Sequence, residues 1–344
     1  MRFIRSWHHA LMSVAVGLTL LMVLPSCDSD DGDTIAVSDR RKICVLFSSG
    51  GLGDDGYNDM IWRGLQNFTL SHPDVWLQCF SPATAEEGTR LMNSWIERHK
   101  GETLLCVLAG SEYEQQAATL YGLRPADSTT TWRPDFLLFE SDNPERLPLT
   151  SFSMSLYGAA WLCGRSVKEM QLTRPLCLLA HSHDQPTQTA AQGFFDGYGA
   201  PTDTACMAAD WSGFSMPETA YQRMYDYART YDFIFGVAGA SNLGVYRYLR
   251  EKPDGVWTIG RRWNQYTQSS QIIGNMVKRI DLVVEDYLTL WADGSEMPQV
   301  RLLGLESGYV DWQVAPAYAD RLEEFVNNIR QEAVNEENKY VCKP

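Results

Sequence analysis

The sequence predicts an α/β protein with parallel β-sheets, divided into two lobes. From Lys42 onward, short apolar runs alternate with amphipathic stretches, an order typical of parallel strands whose two faces are covered by helices. A polar, proline-bearing segment at 141–148 interrupts this alternation, which restarts at 151–154. Because such segments often connect domains, we expect two α/β lobes with parallel sheets rather than one continuous sheet.

The predicted elements follow the chain in strand–helix order. Apolar runs predict strands at 43–47, 75–80, 104–108, 136–139, 176–180, 205–209, 233–237 and 256–259. Amphipathic periodicity predicts helices at 59–70, 85–99, 112–121, 156–170, 187–198, 217–230 and 242–251.

The chain begins with a segment typical of an export leader. Arg2 and Arg5 precede an apolar stretch at 10–24, and small residues then lead to Cys27. The segment resembles a bacterial lipoprotein signal with its lipobox. That resemblance implies that 1–26 is a signal peptide and that Cys27 is acylated, for example with palmitate. A transmembrane anchor is the alternative, but the apolar stretch is short for a span of roughly 20 residues.

Residues 27–41 are predicted to form an acidic tether. Asp28, Asp30, Asp31 and Asp33 make this segment too polar to bury, so a flexible linker is one interpretation. An acidic run behind a lipidated cysteine also resembles the surface-export signal of some Gram-negative lipoproteins. We expect a bacterial membrane lipoprotein on the periplasmic or the cell-surface side of the outer membrane.

Composition limits the function classes. The chain has 344 residues, of which 44% are hydrophobic and 21% charged, so it is globular and long enough for two domains. Its formal net charge of −14 argues against a nucleic-acid partner, which would require concentrated Lys and Arg. Apart from Cys27, most cysteines lie inside apolar runs without metal-ligand spacing. We expect the cysteines to be buried thiols, and the formation of one disulfide is the alternative.

Ligands of parallel α/β sheets bind beyond the carboxyl ends of the strands. The residues at those positions in this chain are small, polar or aromatic. Among the aromatics, Tyr57, Trp211, Phe214 and Trp263 suit stacking against a flat base or a sugar face, and packing beneath the loops is the alternative. From the strand ends themselves, the candidate ligand-binding residues are Ser48, Ser49, Asn58, Gly110, Ser111, Gly239 and Asn242.

Two other chemistries were weighed against ligand capture. The glycine-rich segment 50–58 lacks the Lys-Ser/Thr ending of a phosphate loop, and Asp54 and Asp55 would repel phosphate. His181, His183 and Asp184 could bind a metal in a hydrolase, but no fourth ligand is evident nearby. No nucleophile elbow is present. We therefore predict no catalytic residues, no metal and no cofactor, with the hydrolase kept as the alternative.

Short motifs in a shared order resemble the basic membrane lipoprotein family. The resemblance implies a type I periplasmic-binding fold, in which three crossovers form a hinge between the lobes. It places one lobe at 42–147 plus 264–300 and the other at 148–263 plus 301–344. The motifs are DDGYNDMIWRG at 54–64, FSMSLYGAAWLCG at 152–164, QGFFDGY at 192–198, AGASNLGV at 238–245, VKRID at 277–281 and GLESGYV at 304–310.

The family resemblance also implies a ligand and its contacts. Characterised binders of the family carry purine nucleosides to an uptake transporter, with the base held between two aromatics. Tyr57 and Phe214 match those aromatics, and Lys278 matches a lysine that contacts the sugar. The ligand classes expected are a nucleoside, a sugar or an anionic metabolite, and a membrane transporter is a possible partner.

Two departures from the family bear on specificity. Ser48 and Ser49 stand where the family has an acidic and an amide residue, and Arg262 stands where it has a ribose-binding aspartate. A guanidinium only donates hydrogen bonds, so it cannot make the same ribose contact. An anionic or more oxidised ligand would suit Arg262 and Lys278 better. A surface lipoprotein that binds another macromolecule is a further alternative.

Overall fold

The computed structural model describes residues 41–48, 50–122, 132–141, 143, 146–253, 255–262 and 264–341, with the side chains of 121 and 122 left out. The predicted leader, Cys27, and the tether up to residue 40 lie outside the described residues, as do Ser49 and Trp263. None of the helices that the structure describes is long and apolar enough to cross a membrane.

The first lobe is built on a parallel sheet of six strands in the order β11-β5-β4-β3-β1-β2. Helix α8 packs against α1, and their backbones approach closely at Gly64, where an added Cβ would lie 2.4 Å from the Asp281 carbonyl oxygen. The strands are β1 (Lys42–Phe47), β2 (Trp76–Phe80), β3 (Leu104–Ala109), β4 (Asp135–Phe139), β5 (Thr150–Met154) and β11 (Val300–Leu303), and the helices are α1 (Tyr57–Ser71), α2 (Ala85–Arg98), α3 (Glu114–Gly122) and α8 (Ile280–Ala292).

The second lobe is built on a six-stranded sheet in the order β12-β10-β9-β8-β6-β7, parallel except for β12, which runs antiparallel to β10. Its strands are β6 (Pro175–Leu179), β7 (Asp203–Cys206), β8 (Phe233–Val237), β9 (Trp257–Gly260), β10 (Ile272–Lys278) and β12 (Val310–Val314), and its helices are α4 (Tyr157–Glu169), α5 (Gln185–Tyr198), α6 (Pro217–Thr230), α7 (Asn242–Glu251) and α9 (Ala319–Val341).

Local sequence signals account for the sharp ends of α5. Asp184 is its N-cap, and the Asp184 carboxylate accepts a hydrogen bond from the Thr187 backbone N–H at 3.0 Å. Pro186 lies in the first turn, where its missing N–H has no helical partner to lose. The helix ends at Gly199, whose φ of 82° is the left-handed conformation that glycine adopts without strain.

Both lobes have the predicted α/β class, with sheets that are parallel apart from β12.

The described chain passes between the lobes three times, as expected for the fold. The crossings follow β5, β10 and β11. The sheets divide the chain differently from the predicted lobe boundaries, because β5 and β11 belong to the first sheet and β10 to the second.

The segment at 141–148 is not a linker between lobes. It joins β4 to its neighbour β5 within one sheet. Its Asn143 side chain is buried and bonds both the N–H and the C=O of Leu147, at 2.9 and 2.8 Å. The polar composition of this segment therefore does not mark a boundary between lobes.

A buried carboxylate holds two of the crossings together. Glu337 lies in α9 and is 3% exposed. One of its oxygens accepts hydrogen bonds from Ser155 Oγ at 2.6 Å and from the Gly158 N–H at 3.0 Å, next to the first crossing. The other oxygen accepts from the Leu305 N–H at 2.6 Å, next to the third crossing. Glu337 thereby ties the C-terminal helix to the hinge.

The described cysteines are free thiols in the two cores. Cys44, Cys106, Cys163 and Cys177 are buried, as predicted, whereas Cys79 and Cys206 are half-buried. Burial raises the pKa of the Cys79 thiol to about 12, which keeps it protonated and unreactive near neutral pH.

Candidate functional site

A cavity of about 120 Å³ lies between the lobes, beyond the carboxyl ends of strands from both sheets. The arrangement follows from the fold, because parallel strands of each lobe end at the same edge. Most candidate site residues line this cavity, namely Ser48, Tyr57, Asn58, Gly110, Ser111, Phe214, Gly239, Asn242 and Lys278. Arg262 does not line it.

Two polar side chains after β1 serve the local fold. Asn58 is 1% exposed, and its Oδ1 accepts a hydrogen bond from the Ser48 N–H at 3.1 Å. Asp54 accepts from the N–H groups of Gly56 and Asn58, both at 2.9 Å, and of Asp59 at 3.2 Å. Burial raises the pKa of the Asp54 carboxyl above its usual range. Asp54 thus occupies the N-terminus of α1, where a phosphate loop would hold its anion.

Aromatic rings line the cavity on both sides. Tyr57 comes from the first lobe, and Trp211 and Phe214 come from a 3-10 turn in the second. The Trp211 and Phe214 rings are nearly parallel, with centroids 5.8 Å apart. The Tyr57 hydroxyl is buried without a hydrogen-bond partner among the described residues. Burial, followed by the nearby carboxylate Glu140, raises the pKa of Tyr57 well above its usual value, so its hydroxyl stays a hydrogen-bond donor for a ligand.

Glu112, Glu140 and Asp184 also line the cavity, although none of them was among the predicted ligand-binding residues. Glu140 pairs with Lys278 across the lobes at 2.5 Å, and both side chains are largely buried. The backbone of Glu140 has a φ of 59°, a left-handed conformation that is rare outside glycine. Asp184 accepts a hydrogen bond from Ser111 Oγ of the opposite lobe at 3.2 Å.

Arg262 does not line the cavity, and its neighbour Arg261 lies there instead. The Arg262 side chain is paired with Asp55 of the first lobe. The Gln265 side-chain oxygen accepts from the backbone N–H of both arginines, so the loop turns and successive side chains point apart. In the described part of the chain, the Arg261 guanidinium makes one long hydrogen bond, of 3.4 Å, to the Gly236 carbonyl. Burial lowers the pKa of Arg261.

The loop at 181–184, proposed for the alternative hydrolase, has structural contacts. His181 Nδ1 accepts from the His183 N–H at 3.2 Å, and its ring packs edge-on against Trp211 with centroids 4.5 Å apart. Burial lowers the pKa of His181, so the buried ring is neutral near pH 7. Asp184 caps α5. Across 41–341, apart from the undescribed positions, no group of three or more His, Cys, Asp or Glu is arranged to bind a metal.

No protein-family model matches the chain, and no curated protein matches its sequence. Solved structures do match, at low identity. A solute-binding protein of an ABC transporter system from Aeropyrum pernix K1 is 17% identical with a TM-score of 0.66, covering 87% of this chain and 86% of that one. A transcriptional activator of the comK gene from Bacillus halodurans is 14% identical with a TM-score of 0.61, covering 85% and 96%.

A third similar structure contains a ligand. It is a carbohydrate transporter from Acidothermus cellulolyticus 11B in complex with myo-inositol, 11% identical with a TM-score of 0.58, and the match covers 86% of this chain and 98% of that one. These similarities establish the type I periplasmic-binding-protein-like fold. The narrower basic membrane lipoprotein family stays a prediction.

Proposed function

We propose that this chain is a non-catalytic solute-binding protein that closes its lobes on a small polyhydroxylated ring. The observation that carries the proposal is the interlobe cavity, with Tyr57 on one side and Trp211 and Phe214 on the other. Aromatic faces stack on sugar and base rings, and the buried Tyr57 hydroxyl offers a hydrogen bond. The related solute-binding folds, one of them holding myo-inositol, support this assignment.

The charges around the cavity favour a neutral ligand over the anionic one expected from the sequence. Both cations invoked for an anion are already paired, Lys278 with Glu140 and Arg262 with Asp55. The lining cations are Arg261 and Lys278, whereas the lining carboxylates are Asp54, Asp55, Glu112, Glu140 and Asp184. An anion would lose its hydration next to more carboxylates than cations, which is unfavourable. Ring hydroxyls can donate to carboxylates and accept from Arg261, so free sugars, inositols and the ribose of nucleosides all fit.

The setting of the protein follows from the leader and tether of the sequence. We propose that lipidated Cys27 anchors the two lobes to the bacterial outer membrane through the acidic tether at 27–41. A tethered binding protein keeps its captured ligand close to a transporter in the same envelope. Delivery of the ligand for uptake is therefore the role that we assign to the closed form.

A thermal-shift screen tests the proposed ligand class. Residues 28–344, which include every described element of both lobes, would be screened against sugars, inositols, nucleosides, and phosphorylated or carboxylated analogues. A ligand at about 100 times its Kd adds roughly 2.7 kcal/mol to the free energy of unfolding. We expect neutral rings to raise the melting temperature, and Trp211→Ala to remove that rise while leaving the apo protein folded. Stabilisation by anions alone would contradict the proposal.

A further inference from the structure

Asp55 of the first lobe is bound almost entirely by the second lobe. One carboxylate oxygen pairs with Arg262, and the other accepts hydrogen bonds from Gln268 at 2.8 Å and Gln265 at 3.2 Å. The Asp55 backbone carbonyl accepts from the same Gln265 amide at 3.1 Å. The acceptor groups of one residue thus bridge the cleft to three side chains.

Both halves of this contact are shaped within their own lobes. On the first lobe, the Asp55 N–H donates to Asp59 Oδ2 at 2.9 Å, which helps to hold Asp55 at a left-handed φ of 48°. On the second lobe, the Gln265 side-chain oxygen is fixed by the backbone N–H groups of Arg261 and Arg262. Since neither half needs the other to take its shape, the two surfaces are complementary before they meet.

The position of the contact makes it sensitive to opening. The buried Lys278–Glu140 pair involves the last residue of β10, immediately before the second crossing, where hinge motion displaces atoms least. The Asp55 and Arg262 side chains are more exposed, at 24% and 37%, and both lie in loops that are not part of the three crossings. Separation of the lobes would break all of the Asp55 contacts with the second lobe at once.

We propose that Asp55, Arg262, Gln265 and Gln268 form a latch that favours the closed form in the absence of ligand. These are positioning residues, because their polar groups bind the opposite lobe. A latch of this kind raises ligand affinity through the population of the closed, binding-competent form, since the apparent Kd is the intrinsic Kd divided by that fraction. This consequence for affinity rests on the proposed solute-binding function, whereas the latch itself does not.

Small-angle X-ray scattering of residues 28–344 without ligand tests the latch directly. The variants are Arg262→Gln and Asp55→Asn, the second chosen because asparagine tolerates the left-handed φ that Asp55 adopts. The matched control is Arg330→Gln, which removes an ion pair with Asp311 inside the second lobe at nearly the same exposures, 38% and 29%. We expect a larger radius of gyration for both latch variants, and a control that superimposes on the parent.

Salt and ligand give two further readouts. Raising NaCl from about 0.05 M to about 0.5 M should expand the parent and the control more than Arg262→Gln, because only the parent and the control retain the half-exposed Asp55–Arg262 pair that salt screens. With a neutral ring found in the thermal screen, the latch variants should bind about tenfold more weakly. Unchanged scattering in both latch variants would overturn the latch. If scattering responds but no ring binds, the proposed function fails and the latch stands.

Discussion

Replacing Glu337 by alanine should destabilise the hinge more than any surface change in the same helix. The carboxylate accepts three hydrogen bonds within 3.0 Å, from donors next to two of the crossings. Hydrogen bonds to charged groups contribute about 1.5–3 kcal/mol each, and at the low end of that range the three sum to about 4.5 kcal/mol. We expect Glu337→Ala to lower the free energy of unfolding by about 4.5 kcal/mol, measured by urea denaturation with tryptophan fluorescence.

The neighbouring residue supplies the control. Glu336 lies one position earlier on α9 and pairs with Lys339 at 2.6 Å, with the lysine side chain 67% exposed. Exposed pairs of this kind contribute about 0.2–1 kcal/mol, so Glu336→Gln should change stability by less than about 1 kcal/mol. If Glu337→Ala were as mild as Glu336→Gln, the argument that this carboxylate clamps two crossings would be refuted.

The remaining predictions concern the aromatic walls, a buried histidine and the anchor. Tyr57→Phe should weaken a ring ligand several-fold by calorimetry without lowering apo stability, because it removes only an unpartnered hydroxyl; equal affinity would exclude that contact. Burial lowers the pKa of His181, so the unfolded chain binds its proton first and the melting temperature should fall as pH drops through about 6.5. His181→Gln should reduce this decrease in melting temperature, whereas His183→Gln, at an exposed position, should not. The same dependence of melting temperature on pH in the parent and both variants would contradict this. Cys27→Ser should yield protein that takes up no labelled palmitate and leaves the membrane fraction, and normal labelling would disprove lipidation.

Strands that form continuous apolar runs could be predicted from the sequence, whereas the strands after residue 260 could not. β1 and β3 are continuous apolar runs, and the structure has them within a residue of the expected limits. β10 is equally buried, but Gly274 and Asn275 interrupt its apolar run. β11 is an edge strand that is mostly exposed, so it has no buried face to leave a pattern. Their assignment to sheets depends on long-range pairing, which local periodicity does not encode.

The loops that form the candidate site could be predicted from the sequence, but the side chains within them that line the cavity could not all be predicted. Most of the residues predicted from strand ends do line the cavity, because topology alone brings those positions together. The choice between Arg261 and Arg262 depends on how Gln265 turns the loop. Glu140 was overlooked because its position in the cavity depends on a left-handed backbone and a partner, Lys278, in the other lobe. Such pairings arise only when two distant segments are packed.

Two of the latch residues, Arg262 and Gln268, do not line the cavity, and this has a consequence for the selectivity of the proposed binding. Their contacts with Asp55 act on closure, which every ligand shares, so changing Arg262 or Gln268 should multiply all dissociation constants by the same factor. Arg261, Trp211 and Tyr57 face the ligand itself, so changing them should alter the ratios between ligands. Overall affinity and ligand preference are therefore two properties that different residues of this chain control. Substitutions of Arg262 or Gln268 in the latch could adapt the affinity to a lower or higher ligand concentration without changing which ligand is preferred.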